Sequence, residues 1–227
     1  MSAKAACRPV ITVDGPTASG KSTIARRIAE LYGLPFLDTG LLYRAVARRL
    51  LDEGRDPADA EAAVEAARSL RPEELGRPDL HTEEVSQAAS RVAAIPEVRA
   101  ALLEFQRRFA EQPRGAVLAG RDTGTVVCPD APVKLFVTAS VEERARRRFE
   151  QLRRRGEPAI FARVLEELEE RDRRDTQRAV APLRAAPDAL VIDTTHRSVE
   201  ETLELVRRHI EAWRARSCSS HAPPEAP

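Results

Sequence analysis

Two hydrophobic patterns alternate along the chain. Short apolar runs rich in β-branched residues read as buried strands at 9–14 (PVITVD), 34–38, 115–119, 133–137 and 189–193. Between them lie longer stretches in which apolar residues recur every three or four positions. Over 21–32 the stripe is Ile24, Ala25, Ile28, Ala29 and Leu31, with Gly33 placed to cap the helix end. The same period predicts helices over 41–51, 58–70, 83–94, 97–110, 141–154, 161–175 and 198–215, the second of these announced by Asp56-Pro57. Residues 71–81 (RPEELGRPDLH) break the period with two prolines and a glycine and read as a connection. Residues 217–227 (SCSSHAPPEAP) have the composition of a disordered tail. Strands alternating with helices predict an α/β fold, a parallel sheet flanked by helices on both faces.

The first strand-to-helix junction carries chemistry. Gly15-Pro16-Thr17-Ala18-Ser19-Gly20-Lys21-Ser22 fits G-x-x-x-x-G-K-[ST], after a predicted strand and at the start of a predicted helix. Glycines let the backbone wrap phosphate oxygens with its N–H groups turned inward, and the helix N-terminus adds its positive dipole end. Lys21 is placed to reach the β- and γ-phosphates of a bound nucleotide, and the Ser22 hydroxyl to ligate Mg²⁺. Asp14, just before the loop, has two roles open to it: a carboxylate near the metal, or an acceptor that shapes the loop. The second is favoured.

Charge narrows the choice of function. The 227 residues carry 37 basic and 36 acidic side chains, a net charge of +1, which argues against gripping nucleic acid with the whole surface. It leaves room for a locally basic cleft. Phosphoryl transfer depends on positioning and charge stabilisation. Arg44, Arg99, Arg121, Arg147, Arg148, Arg171, Arg174 and Arg178 are therefore candidates, although any one of them alone would read as a solvated surface arginine. The chain has no N-K-x-D segment of the kind that reads guanine. A small-molecule kinase and a nucleotide-binding protein without turnover both remain open, and the arginine-rich predicted helices favour the kinase.

Cys7, Cys128 and Cys218 have no metal-ligand spacing and read as reduced thiols. His81, His196, His209 and His221 are scattered and read as surface residues. No apolar stretch approaches a membrane span, and the N-terminus lacks the apolar core of a signal peptide. These features predict a cytoplasmic monomer with small-molecule partners and neither nucleic acid nor membrane among them.

Five segments, in order, narrow the expectation further: ITVDGPTASGKST, LDTGLLYRAVA, SQAASRVAAIPEVRAAL, GRDTGTVVCPDAPVKLFVTAS and RDTQRAVAPL. Together they resemble bacterial cytidylate kinase over about residues 10–209. The resemblance implies a P-loop nucleoside monophosphate kinase fold. In it a single domain (1–216) would carry an acceptor-binding lobe at about 39–112 and a mobile lid at about 155–178. The implied reaction moves the γ-phosphoryl of ATP to CMP or dCMP. It assigns Gly15, Pro16, Thr17, Ala18, Ser19, Gly20, Lys21, Ser22 and Thr23 to the ATP phosphates, with Arg147 nearby. Thr39 and Arg44 would bind the acceptor, Arg44 on its phosphate. Ser90 and Arg99 would read the cytosine ring. Arg121 and Asp122 would contact the acceptor's phosphate and sugar side, Asp122 holding the ribose or orienting Mg²⁺ through water. Lys21, Arg121, Arg171 and Arg178 would act on the transferring group. Ala119 departs from the Asp or Glu usual in the family, which leaves the ribose-against-deoxyribose preference open. The acceptor lobe reads as shortened and more helical, and Thr123, at a site more often apolar, is expected to matter little.

Overall fold

A computed structural model describes residues 9–218; Cys7, His221 and the stretch from 219 onward lie outside them. Five strands, β1 (Val10–Asp14), β2 (Phe36–Asp38), β3 (Ala116–Gly120), β4 (Val133–Thr138) and β5 (Leu190–Asp193), pair in parallel in the order β2-β3-β1-β4-β5. The central strand β1 sits in register with β3, Val10 opposite Ala116 and Asp14 opposite Gly120. The C-terminal ends of β1 and β3 therefore lie side by side.

Period-two alternation divides the strand side chains between two faces. Ile11 and Val13 of β1 and Val117 and Ala119 of β3 pack with Ile24 and Ile28 of α1 (Lys21–Tyr32) and with Val206 and Ile210 of α8 (Val199–Cys218). Trp213 packs against the same core. The intervening residues Ala116 and Leu118 face Leu37 and Ala110, the last residue of α5 (Pro96–Ala110). Two further helices, α6 (Val141–Arg154) and α7 (Phe161–Gln177), form their own cluster through Ala145, Leu152, Val164 and Leu168.

Between β2 and β3 the chain makes a wholly helical insertion of α2 (Gly40–Asp52), α3 (Ala60–Arg68), α4 (Glu83–Val92) and α5. Ala62, Ala63, Ala66 and Ala67 of α3 let the helices approach closely around Leu42, Val46 and Leu50 of α2. The expected connection at 71–81 is two short 3₁₀ turns, Pro72–Gly76 and Pro78–His81. Helix α3 starts two residues later than expected, because Asp56 uses its carboxylate on the amide of Ala58 while Asp59 caps the helix through Ala62. A π-type turn at Thr123–Val127, which no periodicity signals, follows β3. Helix α8 continues to Cys218, so residues 217 and 218, expected in a disordered tail, are helical. No helix among the described residues is long and apolar enough to cross a membrane.

Candidate active site

The glycine-rich loop leaves β1 against the backbone of β4. A Cβ on Gly15 would lie 2.0 Å from the Val137 carbonyl oxygen, so only glycine fits where the loop begins. The loop closes with Gly20 at φ +90°, a left-handed conformation that glycine adopts without a Cβ penalty, directly before α1. Lys21 is buried and donates from Nζ to the Pro16 carbonyl at 3.0 Å. Burial, then the neighbouring Arg121, push the Lys21 ammonium well below its usual pKa. The Ser22 hydroxyl donates to Asp38 at 2.8 Å, and the other oxygen of that carboxylate accepts from the Gly40 amide at 3.0 Å. The loop is braced from behind, where Thr194 donates to the Ser19 carbonyl.

A cleft of about 600 Å³ runs from this cradle to the helical insertion. Thr17, Ala18, Gly20, Lys21, Ser22 and Thr23 line one end. Gly15, Pro16 and Ser19 are buried behind it, where they shape the loop. Arg147 and Arg148 also line the cleft, but both are engaged within the protein. Arg147 is held by Glu143 and by the hydroxyl and carbonyl of Thr194, and Arg148 by Glu83. Every acceptor residue expected from the sequence lines the remainder: Thr39, Arg44, Ser90, Arg99, Arg121, Asp122 and Arg178, together with Arg171.

These side chains form two buried charge clusters. In the first, Arg99 donates to Asp122 at 2.5 Å and stacks 5.4 Å over the Tyr43 ring, while Arg178 stands 3.6 Å from the other Asp122 oxygen. Burial works against the Arg99 charge, but Tyr43 and Asp122 outweigh it and hold its pKa above the usual value. In the second, Arg121 donates to Asp175 at 2.8 Å and to the Thr17 hydroxyl at 2.7 Å, tying the glycine-rich loop to α7. Arg171 is also buried; burial lowers its pKa to about 9, and its Nε has no partner among the described residues. Arg44 is lowered to about 10, again by burial first. The Ser90 hydroxyl is buried at the cleft wall with no hydrogen-bond partner among the described residues. Positive groups thus outnumber the carboxylates facing them, and several donors are unspent. Such a site suits a ligand carrying several anionic oxygens.

Asp38, Tyr43, His81, Arg155 and Asp175 line the same cleft and are not among the residues expected there from the sequence. Two of them carry a signal: Asp38 opens the block that contains Thr39 and Arg44, and Asp175 lies four residues after Arg171, on the same helix face. Asp14 is expected to shape the glycine-rich loop; in the structure it holds the turn after β3 instead. Its carboxylate accepts from the Thr123 amide and hydroxyl at 2.8 Å each and from the Gly124 amide at 2.7 Å. Thr123 therefore matters more than expected, since its buried hydroxyl is one of three donors holding that carboxylate. Ala119 is fully buried in β3, and its carbonyl accepts from the Thr39 amide and hydroxyl. Arg174 makes an i,i+4 pair with Glu170. Cys128 is a partly buried thiol raised to about 11 by burial, which keeps it unreactive.

A backbone cradle at the end of a central parallel strand, facing a ring of buried arginines across one cleft, defines a P-loop phosphotransferase. The family model for cytidylate kinase matches residues 11–212. A cytidylate kinase of Methylocella silvestris is 59% identical over 191 residues, covering 84% of this chain and 88% of that protein. Another, from a Methylobacterium species, is 63% identical over 180 residues, covering 79% and 86%. A solved structure of an uncharacterized protein from Eubacterium ventriosum aligns at a TM-score of 0.50 with 15% identity, over 90% of this chain and 99% of that one, a likeness of fold alone. The chain belongs to the cytidylate kinase family.

Proposed function

We propose that this chain transfers the γ-phosphoryl group of ATP to CMP and dCMP, releasing ADP and the corresponding diphosphate. The observation that carries the proposal is one continuous cleft, with a phosphate cradle at one end and the buried Ser90, Arg99 and Asp122 at the other. The loop from Gly15 to Thr23 would hold the ATP phosphates through its amides, with the Lys21 ammonium donating to their oxygens. The Ser22 hydroxyl, already held by the Asp38 carboxylate, belongs to the hard oxygen donors that suit Mg²⁺. Ser22, with Asp38 beside it, would hold Mg²⁺, which would supply electrostatic stabilisation of phosphate charge.

At the other end, cytosine offers a 4-amino donor beside N3 and O2 acceptors. The Asp122 carboxylate can accept from the amino group, while Arg99 and Ser90 donate to the ring acceptors. Uracil presents a carbonyl and an N–H at the corresponding positions and would leave these buried groups mismatched. Asp122 serves the base or sugar in this assignment, because Asp38 is the carboxylate that meets Ser22. Arg44 would take the acceptor phosphate, and Arg121, Arg171 and Arg178 would hold the oxygens of the transferring group between donor and acceptor. The helical insertion then acts as the acceptor lobe, and residues 155–178 act as a lid that excludes water on closing.

A cytoplasmic monomer acting on these small molecules is the simplest form of this enzyme. A coupled ADP-release assay with ATP, Mg²⁺ and CMP, dCMP, UMP, AMP and shikimate tests the proposal. CMP or dCMP should be turned over well ahead of the rest, and a faster rate with any other acceptor would overturn it.

A further inference from the structure

His81 ends the second 3₁₀ turn and lies at the open edge of the cleft, where Arg44 comes within 3.3 Å of its Nδ1. Arg44 can only donate, so the contact requires a lone pair on Nδ1 and places the ring proton on Nε2. The same Arg44 nitrogen donates to the Leu80 carbonyl at 2.9 Å, and among the described residues the guanidinium has no other hydrogen-bond partner. The His81 carbonyl in turn accepts from Arg155, at the root of the predicted lid, at 2.5 Å. The 3₁₀ turn thus presents two successive acceptors, the Leu80 carbonyl and the His81 ring, to one face of the arginine. The guanidinium's remaining N–H groups are left for a ligand.

We propose that His81 is a positioning residue: as a neutral imidazole accepting from Arg44, it aims that guanidinium at the acceptor nucleotide's phosphate. This rests on the assignment of Arg44 to that phosphate. The charges facing the ring favour its neutral form. Arg44 approaches from α2, Arg148 from α6 and Arg155 from just beyond α6, with Asp38 of β2 as the opposing carboxylate; Glu83 of α4 is engaged by Arg148. Partial burial of the ring, then Arg44 and Arg155, hold its pKa below the usual histidine value. Protonation would convert Nδ1 into a donor and set a cation against Arg44, releasing the arginine from one of its two acceptors.

Steady-state kinetics on His81→Ala, His81→Gln and Arg44→Ala test this, with CMP and ATP varied separately. His81→Ala should raise the KM for CMP about five- to tenfold at pH 7.5, the scale of losing one solvent-exposed hydrogen bond. The KM for ATP and kcat should stay within twofold. His81→Gln, which supplies a neutral oxygen acceptor that does not titrate, should restore most of the CMP affinity. Between pH 7.5 and 5.5 the wild-type KM for CMP should rise more steeply than that of His81→Gln. The nucleotide's own phosphate ionisation, near pH 6, is common to both proteins and cancels. A KM for CMP unchanged in His81→Ala, a glutamine no better than alanine, or parallel pH profiles would each overturn the proposal. Arg44→Ala separates the two levels. If it leaves the KM for CMP unchanged, the assignment of Arg44 to the acceptor phosphate fails; if it raises that KM while His81→Ala does not, only the role of His81 fails.

Discussion

The two ends of the cleft are built in opposite ways. The proposed donor end consists of consecutive residues, and most of the groups assigned to binding there are backbone amides whose directions are set by two glycines and the start of α1. The acceptor end gathers side chains from α2, α4, α5, the turn after β3 and α7. Lys21 at the donor end rests on a neutral carbonyl, whereas Arg99 and Arg121 at the acceptor end are paired with carboxylates. The donor end is therefore a preset shape awaiting anionic charge. The acceptor end is a balance of charges that a nucleotide must enter without upsetting, and removing one member leaves another buried and unpaired.

The largest effect should come at the donor end and leave the acceptor end intact. Lys21→Ala removes the side-chain cation of the cradle and should lower kcat about 10³-fold, the scale seen when a transition-state donor is lost from a water-poor site. The KM for CMP should change little. Full turnover in this variant would show that the cradle does not hold the transferring phosphate.

A somewhat smaller effect, of opposite pattern, should follow at the acceptor end. Arg99→Ala leaves the buried Asp122 carboxylate with Arg178 alone, at 3.6 Å, and should raise the KM for CMP about 10²-fold, in line with breaking a buried ion pair. The KM for ATP should hold. Because Asp122 then leans on the more distant Arg178 and the ring loses the Arg99 donor, the preference for CMP over UMP should shrink as well. Arg99→Lys should restore little, since an ammonium cannot at once stack on Tyr43, donate to Asp122 and reach the Ala93 carbonyl. A base preference equal to wild type in Arg99→Ala would move cytosine recognition away from this cluster.

The same contrast explains which parts of the molecule are legible in its sequence. The glycine-rich loop and α1, bounded by Lys21 and Tyr32 with Gly33 as cap, are legible because local backbone chemistry determines them. So is α6, whose Ser140 cap accepts from the Glu143 amide. The acceptor-side arginines read only as unplaced candidates, and their roles, with those of Thr39, Ser90 and Asp122, emerge through a resemblance spread over five blocks, because spacing alone cannot bring Arg44, Arg99 and Arg178 together. Asp38 and Asp175 escape notice although each lies beside a recognised residue, since a carboxylate among basic side chains first reads as a surface ion pair. His81 reads as a surface residue in sequence; its value comes from the 3₁₀ turn that carries it to Arg44, and that stretch has no periodic pattern. The π-type turn after β3 is silent for a related reason. It is held by long-range donation to Asp14, which local sequence cannot report.

That turn offers the smallest and most selective test, because it lies under both ends of the cleft. Burial pushes the Asp14 carboxyl up to about 6 from 3.8, against three hydrogen bonds that pull it down. A folded pKa above the unfolded one means that Asp14 favours the folded state fully below about 3.8, and that this contribution is lost as pH rises through about 6. Thr123→Val keeps the side-chain shape but removes one donor from the ionised carboxylate. It should therefore raise the folded pKa further and cost about 1 kcal/mol of stability at pH 8, where Asp14 is charged. At pH 5, where the carboxyl is largely protonated and needs that donor less, the difference should narrow. Urea unfolding of wild type and Thr123→Val at the two pH values measures it directly. A gap that stays constant from pH 5 to pH 8 would show that the hydroxyl supports packing rather than the charge of Asp14. A gap that widens with pH would identify this turn as the place where the strand end shared by donor and acceptor sites is held by an ionised, buried carboxylate.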